Sequence, residues 1–238
     1  MRWLAGLLVF LIAALAFAQF MLPRLVERAV AEALEERLGP GETLRVQLKA
    51  YPTLRMLLGQ FDSIAVEARQ VRALGEAGVL IDRLRSMLYE VRVDMQALLR
   101  ERELVITRSR QVNVEMEISE SSLNQYLWLA FPELEGMKFK LETGRAVLEG
   151  EVTLAGISLQ VRTVGQFVGM DESKVGYRVQ ELEVEGFLLP KPLRDKVIQI
   201  LGGEQMFFDL AKAPLPVVVR EVKNEEGRLI IIGEAKGD

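Results

Sequence analysis

The chain has 238 residues, half of them hydrophobic and 27% charged; at that length it can bury roughly 70% of the surface its unfolded form exposes and needs no staples to build a core. A formal net charge of −4 leaves no broad Lys/Arg field to neutralise phosphates, so nucleic acid is excluded as the expected partner. Cysteine and histidine are both absent, which removes disulfides, thiolate nucleophiles, lipoprotein-type acylation, Cys- or His-ligated metals and every triad or proton shuttle built on imidazole.

From Trp3 to Leu22 the chain reads WLAGLLVFLIAALAFAQFML, broken only by Gln19 and preceded by Arg2. That run is long enough to span a bilayer as a helix. It equally fits a secretory signal, with a basic start, an apolar centre from Leu4 to Ala16, and Ala16-Phe17-Ala18 as a small-x-small cleavage site. The two readings stay open. Either one places the remainder outside the cytoplasm, so residues 1–22 are set apart as signal peptide or transmembrane anchor and 23–238 as a single α+β domain.

After Pro23, residues 24–38 carry Leu25, Val26, Ala29, Val30, Ala33, Leu34 and Leu38 on one side and mostly Arg and Glu on the other, which predicts an amphipathic helix. Gly39-Pro40-Gly41 ends it. The period then becomes two. Leu44, Val46 and Leu48 alternate with polar residues, as do Ile64, Val66 and Ala68, and Tyr51 to Gln60 between them is a short apolar turn or helix. Segments 79–95 and 103–118 read as strands, most clearly at Val112, Val114, Met116 and Ile118. Ser119 caps a helix over 120–130, with Ser122 a poorer alternative.

Strands resume at 137–141, 146–154 and 157–161. The turn Gly169–Ser173 leads into Val175, Tyr177 and Val179, after which the apolar parity shifts to Leu182 and Val184, predicting a bulge near Gln180 and Glu181. A second amphipathic helix is expected from Lys191 to Leu201. A hairpin of 217–222 and 228–232 around Asn224-Glu225-Glu226-Gly227 closes the chain. Consecutive one-sided strands with short turns imply an antiparallel sheet whose dry face the few helices cover.

The chemistry on offer is sparse. Glu115/Glu117 and Glu181/Glu183/Glu185 lie at i, i+2 on strands, side by side on a solvated face, where nothing drives their pKa values apart. Asp171-Glu172 sits in a turn and brings too few oxygens for calcium. No G-x-S-x-G, S-x-x-K, P-loop or G-x-G-x-x-G pattern is present, so no catalytic residue, metal or cofactor is expected.

Apolar bulk outside the predicted strands is the more telling feature: Leu54, Met56, Leu57 and Leu58; Tyr126 to Leu129 with Phe131; Phe187 to Leu189; and Met206, Phe207 and Phe208. One reading makes these groups plugs for the ends of the sheet. The other makes them the lining of a site for acyl chains, with Leu57, Leu58, Tyr126, Leu127, Trp128, Phe131, Phe187, Leu188, Met206 and Phe207 as candidate lipid-binding residues.

At Leu54-Arg-Met-Leu-Leu-Gly59-Gln-Phe-Asp62-Ser-Ile64-Ala-Val66 the sequence resembles the LmeA-like phospholipid-binding family of bacteria. The resemblance continues through Ile118-Ser-Glu-Ser-Ser-Leu123-Asn124-Gln-Tyr-Leu127, Leu148-Glu-Gly150-Glu-Val-Thr-Leu-Ala-Gly156, Phe187-Leu-Leu-Pro190, Pro214-Leu-Pro216 and Gly227-Arg-Leu-Ile-Ile-Ile-Gly233. It implies a cell-envelope protein with a tubular-lipid-binding-like fold, a long curved antiparallel sheet packed around a few helices, among them the helix from Gln19 to Leu38. It also implies phospholipid binding in support of envelope lipid or glycolipid assembly, and brings no catalytic motif. The expected partner is a phospholipid or a membrane surface, with acyl chains in an apolar groove and Arg100, Arg102, Arg108 and Arg110 as candidates for the head group. The competing expectation is a membrane-anchored, non-catalytic scaffold that binds an envelope protein through exposed sheet edges or apolar rim.

Overall fold

The computed structural model describes residues 3, 19, 21–34, 43–73, 78–154, 157–185, 204–210 and 217–235. Nearly all of the signal or anchor segment 1–22, the end of the first helix, Phe187 to Leu189 and the helix expected at Lys191 to Leu201 lie outside the described residues. Among the described residues, no helix is long and apolar enough to cross a membrane.

Helix α1 covers 21–34. It is followed by β1 (Thr43–Lys49), a 3-10 turn (Thr53–Leu58), β2 (Gln60–Ala73), β3 (Val79–Val93), a π-helical turn (Ala97–Glu101), β4 (Ile106–Arg108), β5 (Gln111–Ser119) and α2 (Glu120–Ala130). After α2 come β6 (Met137–Glu142), β7 (Arg145–Leu154), β8 (Ile157–Gly169), β9 (Lys174–Glu185), β10 (Glu204–Asp209), β11 (Val217–Glu225) and β12 (Arg228–Ala235). One sheet has the order β1-β2-β3-β5-β12-β11 with β4 added to β3, and the other the order β10-β9-β8-β7-β6. This is the expected α+β class.

The chain packs as two compact units, Met1–Ala68 with Arg85–Asn113 and Gly237–Asp238, and Arg69–Leu84 with Val114–Lys236. In the first, α1 buries Val26, Val30 and Ala33, whose spacing of four and three puts them on one helical face. They share this unit's core with Leu48, Met56, Phe61, Ile64, Val91, Val93 and Leu98. The strand expected at 79–95 stops at Val93 because Asp94 starts a helical turn: its Oδ1 accepts the N–H groups of Gln96 (2.8 Å) and Ala97 (3.1 Å). The strand expected over 103–118 divides into β4 and β5.

In the second unit the predicted bulge is present. Val164 pairs with Glu181 and Gly165 with Val179, leaving Gln180 as the extra residue. Met206, Phe207 and Phe208, expected outside the strands, belong instead to β10, antiparallel to β9. The alternation that marks a strand is hidden there by a second bulge. Met206 pairs with Gly176 and Phe208 with Val175, and Phe207 is the inserted residue. Two adjacent Phe side chains thereby both enter the core.

Candidate functional site

In the second unit, α2 seals the edge strand of its sheet. Ser119 caps the helix by accepting the Ser122 N–H at 3.2 Å, and its own N–H donates to Asp82 at 2.7 Å. Along one face, Glu120 Oε2 accepts from Leu141 N at 2.8 Å, Asn124 bonds both N (2.6 Å) and O (2.9 Å) of Phe139, and Trp128 Nε1 donates to Met137 O at 2.7 Å. The match is geometric. Four helical residues rise about 6 Å and two strand residues about 6.6 Å, so positions 120, 124 and 128 keep step with 141, 139 and 137. The open edge of β6 is thus satisfied by side chains and closed to further strand pairing.

Beneath α2 lies a packed aromatic cluster. Phe207 stands 5.2 Å from Phe131, 5.5 Å from Phe139 and 5.5 Å from Phe167, ring centre to ring centre, and Tyr126 is 5.0 Å from Phe208. Tyr177 stands 5.1 Å from Phe139 and donates its hydroxyl to Ala146 O at 3.0 Å, with Thr163 Oγ1 at 3.2 Å. Burial pushes the Tyr177 hydroxyl up to about 12, with the Thr163 contact opposing. Tyr126 donates to Phe207 O at 2.8 Å, and burial raises its pKa as well.

The candidate lipid residues fall into distinct places. Tyr126, Phe131 and Phe207 come together in this cluster, Phe207 only 6% exposed and Tyr126 and Phe131 half-buried at its fringe, while Leu127 is fully buried on α2. Trp128 is 42% exposed and its neighbour Leu129 67%. Met206 lies on β10 opposite Gly176, and Phe187 and Leu188 fall outside the described residues. Leu57 and Leu58 belong to the first unit.

There, the 3-10 turn presents Leu54, Leu57 and Leu58 to solvent, Leu57 at 54% and Leu58 at 71%, and Tyr51 just before it is exposed too. The turn is held by other residues. Met56 is its buried plug; the Asp62 carboxylate accepts from Tyr51 N (2.7 Å) and Arg55 Nη1 (3.1 Å). Gly59 ends it with φ of 67°, and its carbonyl accepts the Val93 N–H at 2.8 Å. A Cβ on Gly59 would stand 2.0 Å from Val93 O, so glycine is required. Because β3 ends at Val93, the π-helical turn leaves from the same end, carrying Leu99 (64% exposed) and exposed Arg100.

Beside the leucine turn is a groove of about 410 Å³ lined by Arg55, Gln60, Phe61, Asp62, Glu90, Val91, Arg92 and Arg108. Glu90 is bonded by Arg110 at 2.6 Å and Asp62 by Arg55. Arg92 and Arg108 are direct cross-strand partners, and neither guanidinium has a partner among the described residues. Of the head-group candidates, Arg108 and Arg110 are therefore near this groove, whereas Arg102 reaches Glu32 at 3.9 Å. Arg92 escaped sequence reasoning because strand pairing, and not spacing, brings it to Arg108. A groove of about 540 Å³ in the second unit contrasts with it: there Arg162 is shared by Glu183 (3.3 Å) and Glu149 (3.8 Å), so that its charge is already met by carboxylates.

Among the described residues, no three His, Cys, Asp or Glu side chains gather to hold a metal ion. Asp171 serves its turn: the Glu172 N–H (2.8 Å) and the Lys174 ammonium (3.6 Å) hold its carboxyl below the usual range.

The model of the LmeA-like phospholipid-binding family matches residues 17–234, nearly the whole chain. The chain belongs to that family. No curated protein and no solved structure matches it. Membership in this lipid-binding family makes a lipid the ligand class against which the exposed leucines, the aromatic fringe of α2 and the arginine groove are to be weighed.

Proposed function

We propose that the chain is an extracytoplasmic phospholipid-binding protein of the bacterial cell envelope, non-catalytic, which holds acyl chains against apolar surface while the head group stays in water. Family membership over residues 17–234 is the observation that carries this reading. The apolar N-terminal run supports the extracytoplasmic placement. Support for the acyl site comes from the fringe of the aromatic cluster, where Trp128, Leu129 and Phe131 remain accessible above the buried Leu127 and Phe207. Ten methylenes buried on such a surface release roughly 8 kcal/mol gross, which sets about micromolar affinity as the ceiling before association costs are subtracted. Holding lipid in this way suits support of envelope lipid or glycolipid assembly.

Native mass spectrometry of the full chain, gently extracted, tests the proposal. A mass increment of one phospholipid, lost when Trp128→Glu is introduced, is the expected result. A clean apo mass with no uptake from added phospholipid overturns it, and co-purification of a stoichiometric envelope protein in its place would favour the scaffold reading.

A further inference from the structure

We infer that the end of the first unit formed by the 3-10 turn Thr53–Leu58, the π-helical turn Ala97–Glu101 and β4 is a docking surface for an anionic phospholipid bilayer. Leu54, Leu57, Leu58 and Leu99 enter the acyl layer, and Arg92 and Arg108 receive a lipid phosphate. This deepens the phospholipid reading, on which it rests, by naming the surface that meets the membrane and the lipid charge it selects.

Two independent observations meet here. The first is exposure. Tyr51, Leu54, Leu57, Leu58, Leu99 and Ile106 are all large, apolar and solvent-facing at one end of one unit, and the fold does not need them so, because Met56, Asp62 and Gly59 already hold the turn. Scattered single apolar residues need no explanation, but a grouped set marks an interaction surface.

The second is charge. Like charges directly opposite on paired strands repel, yet Arg92 and Arg108 face each other across β3 and β4 and line the same groove with no anion from the described residues. The two carboxylates of that groove are already taken, Asp62 by Arg55 and Glu90 by Arg110. An incoming phosphate diester relieves the repulsion, and guanidinium forks match its oxygens bidentately. Exposed Arg100, next to Leu99, adds a third cation with no partner among the described residues. Arg55 shares the 3-10 turn with the leucines, and Ile106 is two residues from Arg108. The apolar and cationic parts are therefore contiguous, as insertion beneath a layer of anionic head groups requires.

The absence of cysteine from the chain allows a local test in the whole chain of 238 residues that an N-terminal anchor does not confuse. Leu58→Cys and, as a control at the start of β1 in the same unit, Thr43→Cys are each labelled with an environment-sensitive fluorophore and mixed with vesicles carrying brominated acyl chains. Expected is quenching of the label at position 58, and not at 43, in vesicles with anionic phosphatidylglycerol, and about fivefold weaker response for each of Arg92→Ala and Arg108→Ala. Because either alanine removes a repelling partner, the unfolding midpoint of these variants holds or rises; a role in folding alone would lower it. Equal quenching at both positions, no quenching at 58, or equal response to neutral phosphatidylcholine vesicles overturns the inference. So does a fluorescence change at 58 that grows with protein concentration in the absence of vesicles, which gives the surface to a second copy of the chain. The two proposals fail separately: an apo mass with quenching at 58 sinks lipid sequestration alone, and bound lipid without quenching at 58 sinks docking alone.

Discussion

Replacing Phe207 with alanine separates packing from lipid contact in the aromatic cluster. The ring is 6% exposed and stands within 5.2 to 6.4 Å of Phe131, Phe139, Phe167, Phe208 and Tyr177. Truncating a buried Phe costs about 3–5 kcal/mol, and each aromatic pair is worth roughly 0.5–1.5 kcal/mol beyond burial, though the pair values overlap and do not sum. With five ring neighbours the loss belongs at the upper end, about 4–5 kcal/mol. A chain of this size loses roughly 2–4 °C in Tm per kcal/mol, so a fall on the order of 10–15 °C accompanies it. Urea unfolding followed by tryptophan fluorescence measures the loss in the full chain. A variant that keeps its stability to within about 0.5 kcal/mol, the range of neutral surface changes, but no longer retains phospholipid would show that Phe207 lines an open lipid site, and the packing argument would fail.

Tyr177→Phe should cost about 1–2 kcal/mol, because Ala146 O loses its buried donor. The same hydroxyl makes stability pH-dependent: the folded chain holds its proton up to about 12 and the unfolded chain only to about 10. Its contribution is therefore complete below about pH 10 and is lost as pH rises toward 12, a total on the order of 2–3 kcal/mol; urea midpoints at pH 9 and 11.5 should differ less in Tyr177→Phe than in the parent. Asn124→Ala leaves both N and O of Phe139 without partners and should cost roughly 2–3 kcal/mol, visible as faster amide exchange at Phe139. Gly59→Ala meets both the positive φ and the Val93 carbonyl; about 2 kcal/mol or more should be lost, with exchange at the Val93 amide rising first.

Much of the fold was legible because its signals are local. The spacing of Val26, Val30 and Ala33 gave a helical face, Val112 to Ile118 alternated cleanly, Ser119 stood where a cap was needed, and the parity shift after Val179 located the bulge at Gln180. What stayed hidden depends on pairing between distant residues. The bulge at Phe207 erased the alternation of β10, so a strand looked like an apolar loop. The ladder of Glu120, Asn124 and Trp128 along β6 is a spacing of four on one element meeting a spacing of two on another, and neither half signals alone. The family resemblance was legible across the chain, and the match over 17–234 agrees with it. Site residues were less so: composition cannot tell Leu127, fully buried, from Leu58, largely offered to solvent.

That difference between leucines has a physical origin in how each turn is secured. A short apolar segment can be fixed by burying its bulk or by polar clamps, and the 3-10 turn at Thr53–Leu58 uses one buried Met56 together with the Asp62 clamp and the Gly59 carbonyl. The leucines beside Met56 are thereby left over from folding. The exposed area of these leucines adds nothing to the folded state and raises the risk of association, and two facing arginines lower stability further. Both costs fall on the same end of the same unit, and an anionic lipid layer offsets both at once, taking the leucines out of water and giving the arginines a shared counter-charge. A protein partner would have to supply an apolar face and an anion in that one arrangement, whereas a bilayer presents them everywhere on its surface.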